Sequence, residues 1–292
     1  MLPLRRRRSG VAVLVPILIG PVAFLSAQTT PALPDILTSA AGYVVQYSTK
    51  LQALTADEVY LQMDESGGRI QSVRRLNGDA VMIGLGDGVT YMFRDTYAID
   101  TKPFHARSDR LLKLFTDPPP PPRRGLQEAV EISESGLSYY LTRSLHTEDS
   151  PLQPLDLLRA KNQARLKYAL DGVKTSAGVA LATLKFSGDD ASSILMTPPG
   201  IPVTGKLTVE VGTGALRQSE VVVSNKAMTL RTTVEFTFDK ALGLWVPKEL
   251  VQRWEISSSA AGMGELYDHG SYETHATYSN YKQVAIDPDK IR

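Results

Sequence analysis

The stretch Thr229–Phe238, with the sequence TLRTTVEFTF, shows the pattern on which the fold prediction depends. In its second half, Val234, Phe236 and Phe238 are apolar, and a polar residue lies between each pair. Successive side chains of a β-strand point to opposite faces of a sheet, so this alternation places one face in a core and the other in solvent. The stretch therefore predicts one strand of an antiparallel sheet.

Similar β-rich runs occur along most of the chain, and turn residues separate them. Asn77-Gly78 lies between two runs, and Asn-Gly is a strong hairpin signal because both residues tolerate positive φ. Asp171-Gly172 and Gly212–Gly214 are predicted turns of the same kind. The predicted strands are Val59–Met63, Ile70–Leu76, Val81–Leu85, Val89–Tyr97, Leu166–Leu170, Val179–Phe186, Lys206–Val211, Ala215–Val223, Thr229–Phe238, Leu244–Ile256 and Tyr272–Ile286.

Helical periodicity is confined to a few segments. From Asp35 to Ala53 the apolar residues recur every three or four positions, which is the stripe of an amphipathic helix. Shorter helices are predicted at Ser108–Phe115, Gln127–Glu134 and Leu152–Ala160. The patterns together predict a mainly β fold: a curved antiparallel sheet or half-barrel of about ten strands, with the N-terminal helix and the short helices on its concave face.

The first residues have the features of an export signal. Arg5–Arg8 form a basic start, Val11–Leu25 is apolar, and Ser26-Ala27 is a small-residue exit. We predict a Sec-type signal peptide at residues 1–27 and a periplasmic or secreted protein without a stable membrane span after cleavage. Residues 28–292 are then one β-rich domain, interrupted at 117–124 by a proline-rich spacer that contains Pro118–Pro122.

Charge and cysteine content exclude several classes of protein. Removing residues 1–27 takes away four arginines and no acidic residue, which changes the net charge from +1 to −3. Such a chain lacks the basic footprint of a nucleic-acid binder. The sequence contains no cysteine, so neither a lipid-modified N-terminal cysteine nor a disulfide is expected.

Several segments in both halves of the chain resemble a group of uncharacterised exported proteins of soil bacteria. More distantly, the expected fold is similar to the half-barrels of periplasmic lipoprotein carriers and their relatives. The resemblance implies shelter for an acyl chain, and it implies no enzymatic activity. The segments that carry it are Ala41–Val44, Glu58–Gln62, Phe93–Asp100, Arg107–Phe115, Lys206–Arg217, Val234–Asp239, Leu242–Leu250 and Ala276–Tyr281.

Large aromatic residues are concentrated on the later strands. A partly closed sheet must have its apolar concave face covered by helices or by a ligand, because exposure to water costs about 25 cal/mol per Å². The candidate partner is a lipid or a lipidated protein; the alternative is that helices alone fill the face. The candidate ligand-binding residues are Phe236, Phe238, Trp245, Trp254 and Tyr278.

The densest group of ionisable residues lies between positions 94 and 110. Asp95, Asp100 and His105 would be the acid–base groups of an enzyme if they met in a cleft together with Arg94 and Arg107. A carboxylate beside an arginine is more often an ion pair that fixes a loop, so no catalytic residue is assigned.

No metal or cofactor is expected. The histidines are scattered singly, and Gly84–Gly88 is interpreted as a turn because a strand follows it, where a dinucleotide site requires a helix. The one dense group of histidines and carboxylates is interpreted as a polar loop and the wet face of a strand. The four histidines are His105, His146, His269 and His275, and the carboxylates near the last two are Glu265, Asp268 and Glu273.

Three functions therefore remain open. The first is non-enzymatic binding or carriage of a hydrophobic ligand in the cell envelope. The second is a structural or interaction protein with a filled core. The third is a hydrolase-type enzyme that uses the ionisable residues at 94–110. The sequence indicates no oligomeric state.

Overall fold

The structure, a computed structural model, describes residues 31–141, 150–189, 192–195, 200–256 and 270–292. Its described strands are β1 Ala53–Ser66, β2 Arg69–Gly86, β3 Val89–Ile99, β4 Lys102–Pro103, β5 Lys167–Ser176, β6 Val179–Gly188, β7 Val203–Glu210, β8 Leu216–Ser224, β9 Met228–Asp239, β10 Leu244–Ile256 and β11 Gly270–Val284. They form one sheet in the order β4-β3-β2-β1-β11-β10-β9-β8-β7-β6-β5.

The described helices are few and mostly short. They are α1 Leu33–Leu51, α2 Arg110–Thr116, α3 Arg124–Leu137, α4 Gln153–Leu158, α5 Ala160–Gln163, α6 Ser192–Leu195 and α7 Pro288–Ile291. Each pair of neighbouring strands is antiparallel, and β4 and β5 are the two ends of the sheet, which is not closed on itself. The predicted mainly β fold, an open antiparallel sheet with an N-terminal helix and short helices, is confirmed.

The two faces of the sheet belong to different cores. The inner face carries Leu54, Tyr60, Val234 and Leu250, and it shares a buried cluster with the apolar stripe of α1. On the outer face, side chains of β2 and β3 pack against α2, and Phe93 stacks on Phe115. Helix α2 thus lies on the face opposite α1, whereas the sequence predicted all the short helices on the same concave face as α1. The strands that carry both cores, β1 to β3, are therefore buried on two sides.

Helix α1 follows the predicted stripe. Ile36, Ala40, Val44, Tyr47 and Leu51 are all buried. The helix begins two residues before Asp35, because Pro34 favours the first turn of a helix. It ends at Leu51, where the next residue has a positive φ and the chain turns into β1.

Two predicted turns are wrong. Asn77-Gly78 lies within β2, which runs unbroken for 18 residues, and Asn77 pairs with Val59 on one side and Ala98 on the other. Glycine at position 78 instead allows β2 and β3 to approach each other closely at a bulge, since a Cβ there would lie 3.2 Å from the backbone oxygen of Asp95 in β3. Likewise Asp171-Gly172 lies inside β5, and the chain turns later.

The proline run connects two helices that pack against each other. It follows α2 and precedes α3, and a Cβ on Gly125 would lie 2.6 Å from the backbone oxygen of Leu114. The run is therefore a short link on one side of the sheet, and α3 continues along β3, where Ser133 Oγ accepts a hydrogen bond from the Arg94 N–H at 2.9 Å. Helix α3 in this way covers part of a strand edge.

Across the described ranges, no helix is both long and apolar enough to cross a membrane. The predicted signal peptide, residues 1–27, lies outside those ranges and stays a prediction.

The contact between α1 and the sheet gives a test of this packing. A Cβ on Gly84 of β2 would overlap the backbone oxygen of Ser48 and lie 3.0 Å from Leu51 Cβ. We expect Gly84→Ala to lower the free energy of unfolding in urea by about 1–3 kcal/mol, because the helix must move away from the strand.

The control is Gly42→Ala, in the exposed middle of α1, where nothing lies within 4 Å of the new Cβ. It should raise stability by up to about 1 kcal/mol, since alanine is the better helix former. Equal effects of the two substitutions would contradict the packing described.

Candidate ligand-binding site

Leucines from the α4 segment fill part of the inner face. The segment consists of a short loop followed by helix α4. Its buried side chains belong to the same cluster as those of the strands and α1. Each of the four leucines is at most 1% exposed. They are Leu152, Leu155, Leu157 and Leu158. The strands alone thus do not complete this core.

A few side-chain hydrogen bonds hold this cover in place. Gln163 Nε2 donates to the backbone oxygens of Leu37 in α1 and Leu158 in α4, both at 2.9 Å. The hydroxyl of Tyr168 donates to Leu157 O at 2.6 Å. Helices of six and four residues are unstable alone, so α4 and α5 depend on these bonds and on leucine packing.

Three of the five predicted ligand-binding residues lie in the inner-face core. Phe236, Trp254 and Tyr278 come from β9, β10 and β11 and are each less than 10% exposed. The other two lie at the margin of the same core: Trp245 packs against it as a partly buried residue, the rings of Phe238 and Trp245 are 5.3 Å apart, and Phe238 is 46% exposed. Strand alternation puts Phe236 and Phe238 on one face, but their different exposure depends on their position along β9, which the alternation does not show.

A row of polar side chains crosses the inner face over four adjacent strands. Gln62 in β1 is paired with Thr274 in β11, which is paired with Gln252 in β10, which is paired with Thr232 in β9. At the far end of this row, Gln252 Nε2 donates to Thr232 Oγ1 at 3.4 Å. The row interrupts a surface that is otherwise largely apolar.

Two members of the row hold polar atoms that the core does not satisfy. Gln62 is completely buried and Thr274 is 1% exposed. In the part of the chain that the structure describes, neither Gln62 Nε2 nor Thr274 Oγ1 has a hydrogen-bond partner, and the same holds for Tyr47 OH and Ser219 Oγ. Each such group costs about 1–3 kcal/mol in a core, so this face is not optimised for its present cover.

An ion pair is buried near the polar row. Both oxygens of Glu58, a residue only 3% exposed, accept from Arg94 Nε, at 2.8 and 2.7 Å. The guanidinium also lies 5.2 Å from the centre of the Tyr60 ring and 3.4 Å from the hydroxyl of Tyr278. Glu58 was missed in the sequence, although it stands in the inward phase of β1 between the apolar Ala56 and Tyr60.

The ionisable residues at 94–110 do not meet at one place. Arg94 points to the inner face, whereas its neighbour Asp95 accepts two bonds from Arg110 at 2.5 and 2.6 Å on the other side. His105 Nε2 lies 3.3 Å from Asp95 Oδ1. Asp100 instead accepts from the backbone N–H of Arg75 at 2.9 Å. These contacts are ion pairs and hydrogen bonds at strands and loops.

The outer face carries a row of carboxylates. Asp57 in β1, Asp79 in β2 and Asp95 in β3 are directly opposite one another in the register. Like charges so placed repel, and Arg107 compensates by forming ion pairs with both Asp57 and Asp79. A cleft of ≈ 650 Å³ and a pocket of ≈ 140 Å³ lie here. Asp57, Arg107, Asp109 and Asn280 line both.

The paired carboxylates on this face have pKa values shifted in opposite directions. Burial tends to raise the pKa of Asp57, but hydrogen bonds from Asn280 and Arg107 outweigh it and lower the pKa. For Asp79, burial raises the pKa by more than the hydrogen bond from Arg107 lowers it. The two acids thus share one arginine and respond differently to it.

The histidines give no metal site within the described ranges. There, no group of three or more histidine, aspartate or glutamate side chains is arranged to hold a metal ion. His275 contacts Glu273 and Glu249 on the polar side of β11. The remaining members of that predicted neighbourhood, His269, Glu265 and Asp268, and also His146, lie outside the described residues.

No protein-family model matches the sequence, and no curated protein matches it. Solved structures similar to the chain include a DUF1329 family protein from Desulfovibrio piger, with 13% identity and a TM-score of 0.37 over 88% of this chain and 98% of that one. They also include a LolA superfamily protein from Nitrosomonas europaea, with 14% identity and a TM-score of 0.37 over 88% of this chain and 97% of that one.

A third similar structure is the Mycobacterium tuberculosis lipoprotein LppX, with 10% identity and a TM-score of 0.27 over 88% of this chain and 100% of that one. The chain is thus distantly similar to these proteins. At these identities and TM-scores the likeness does not bear on what the inner face binds, and the function has to be inferred from its residues.

The carboxylate row generates a test of its electrostatics. Because the folded pKa of Asp57 is lowered, its stabilising contribution is present above the unfolded value of 3.8 and is lost as the pH falls through the folded pKa. For Asp79 the folded pKa is raised, so ionisation destabilises the fold as the pH rises through that value.

At pH 7, Asp57→Asn should therefore lower the free energy of unfolding by about 0.2–1 kcal/mol, whereas Asp79→Asn should leave it unchanged or raise it. Urea titrations at pH 7 and pH 3 measure both. The loss caused by Asp57→Asn should be smaller at pH 3 than at pH 7, and Asp79→Asn should match the wild type at pH 3; equal losses at pH 7 would contradict the opposed shifts.

Proposed function

We propose that this chain is an exported, non-enzymatic protein of the cell envelope that binds an acyl-chain-like ligand on the inner face of its sheet. The observation that carries the proposal is the leucine cover: an apolar face of strands is completed by four leucines on a segment too short to be stable alone. An acyl chain would take the place of those leucines. The predicted signal peptide supports a location outside the cytoplasm.

The exchange of leucines for an acyl chain is close to balanced in free energy. Burying four leucine side chains contributes about 6–12 kcal/mol, and a chain of about twelve methylene groups offers about 10 kcal/mol. Displacing α4 breaks a small number of polar contacts: those made by Gln163 and Tyr168, and the hydrogen bonds from Gln153 to Leu195 O and from Arg159 to Asp87 O. The strand pairings remain, so the cover can leave the face without unfolding the sheet.

The interaction-protein alternative predicts the same filled inner face, and ligand binding separates the two. Exposed large apolar side chains occur on the described surface: Ile70 and Val73 are both in β2, and others are dispersed, such as Val45 in α1, Val130 in α3 and Val173 in β5. The acyl-ligand proposal requires the α4 leucines to leave the inner face, whereas an interaction protein with a filled core requires them to remain packed on it.

The two tryptophans allow the binding site to be located by fluorescence. Trp254 lies in the inner-face core, 4% exposed, and Trp245 lies at the margin of that core beside Phe238. We expect a lysophosphatidylcholine with a dibrominated acyl chain, added below its critical micelle concentration, to quench Trp254 strongly in the Trp245→Phe variant, because bromine quenches only at contact distance.

The comparison variant is Trp254→Phe, which leaves Trp245, at the margin of the same core, as the reporter and should show weaker quenching. The unbrominated lipid corrects for changes in the environment of either ring. Absence of quenching in both variants would refute an acyl site on the inner face, and quenching of Trp245 as strong as that of Trp254 would contradict a site centred beside Trp254.

The leucine cover can be weakened independently. Leu158→Ala should lower the free energy of unfolding by about 2–4 kcal/mol and tighten binding of the same lipid by about 3- to 10-fold, because more molecules then have an open face. Leu111→Ala is the control: this leucine is equally buried, lies on the short helix α2, and packs on the outer face.

Leu111→Ala should show a similar loss of stability with unchanged lipid affinity. If both variants gained affinity alike, general loosening of the protein would explain the result, and a specific role of α4 as a cover would be excluded.

A further inference from the structure

The polar row indicates which atoms an inner-face ligand carries. Gln62 and Thr274 are directly paired across β1 and β11, with Tyr60 and Ala276 paired in the next inward-facing position along the strands. Side chains opposite each other on one face have Cβ atoms about 4.5–5.5 Å apart. Their polar atoms, Gln62 Nε2 and Thr274 Oγ1, can therefore approach the same ligand atom.

The orientation of the Gln62 amide is fixed by its surroundings. Its Oε1 accepts the backbone N–H of Leu141 at 3.0 Å, and only the oxygen end of the amide can accept. The Nε2 end, a donor with two hydrogens, consequently points away from Leu141 and remains without an acceptor among the described residues. Thr274 Oγ1 next to it offers a third hydrogen for donation.

Both groups thus require an acceptor in a buried, apolar setting. A hydrocarbon chain has no hydrogen-bond acceptor, so both donors would stay unsatisfied and their unfavourable contribution to the free energy would remain. A carboxylate would also accept, but a buried negative charge needs a cation. Of the two arginines near the row, Arg94 is engaged by both oxygens of Glu58, and Arg74, which is paired with Gln62 across β1 and β2, is partly exposed and donates to the backbone oxygen of Tyr139 at 2.8 Å. A neutral carbonyl oxygen has two lone pairs and no charge, which suits two neutral donors.

We propose that the ligand of the inner face is a lipid whose acyl chain is joined through an ester or amide, and that Gln62 Nε2 and Thr274 Oγ1 donate hydrogen bonds to its carbonyl oxygen. This inference rests on the proposed function and adds a chemical class to it. The carbonyl lies at the polar row, and the chain lies against the apolar side chains around it, including Trp254, which neighbours the row on β10.

Ester-linked and ether-linked lysophosphatidylcholines of equal chain length make a matched pair of probes, because the ether lacks only the carbonyl. Each competes with the dibrominated lipid, and recovery of Trp254 fluorescence in the Trp245→Phe protein reports binding. The ester is expected to bind about tenfold more tightly than the ether, which corresponds to the net effect of one or two hydrogen bonds.

Two variants test the assigned residues. Thr274→Val keeps the shape and removes only the hydroxyl, so it should not lower the urea midpoint and should reduce the ester preference to about threefold. Gln62→Met removes the amide donor, and the double variant should bind ester and ether equally. Since Thr274→Val is not expected to impair folding, the test does not depend on Gln62→Met being stable.

The outcomes separate this inference from the proposed function. Equal binding of ester and ether by the parent protein overturns carbonyl recognition and leaves acyl binding intact. A preference that persists unchanged in Thr274→Val and in the double variant overturns the assignment to these residues. Failure of both lipids to compete, with no quenching by the brominated probe, overturns both.

Discussion

The pairing of β1 with β11 is the interaction on which the rest of the structure depends. It runs from Ala53 opposite Val284 to Ser66 opposite Gly270, and it joins strands that are more than two hundred positions apart in sequence. All other described neighbours in the sheet are consecutive in the chain. Without this pairing there would be two separate meanders, each with half of an inner face, and neither could bury α1 in the same core.

The same pairing creates the chemistry of the inner face. It sets Gln62 beside Thr274 and Glu58 beside Tyr278, and each pair combines one residue from the first strand with one from the last. A shift of the register by one residue would turn these side chains to the outer face. The location of polar groups within the apolar core is thus determined by strand register and by the bulge near Asp57.

Local patterns predicted what depends on local structure. The stripe of α1, the alternation in β9 and the turn at Gly212–Gly214 each follow from a few consecutive residues. Asn77-Gly78 has the same local signal as a hairpin, yet pairing on both sides keeps it extended. Tertiary pairing therefore overrode turn propensity where a strand lies between two others.

The candidate sites depend on register, which the sequence alone does not contain. Strand alternation alone predicts that Arg94 and Asp95 lie on opposite faces of the sheet, since adjacent residues of a strand point to opposite faces. Their ion-pair partners could not be predicted in this way, because Glu58 is 36 positions from Arg94 and Arg110 is 15 positions from Asp95. The covering role of the α4 leucines was likewise hidden, because a short apolar helix has the same pattern whether it lies under a sheet or on a second helix.

The long-range closure of the sheet also has a consequence for how the chain is made. Strand β1 emerges from the ribosome early, and its partner β11 emerges only after more than two hundred further residues. Contacts of such sequence separation form slowly, so the nascent chain stays without its central pairing throughout synthesis. The topology itself thus postpones the native state until the last strand has been synthesised.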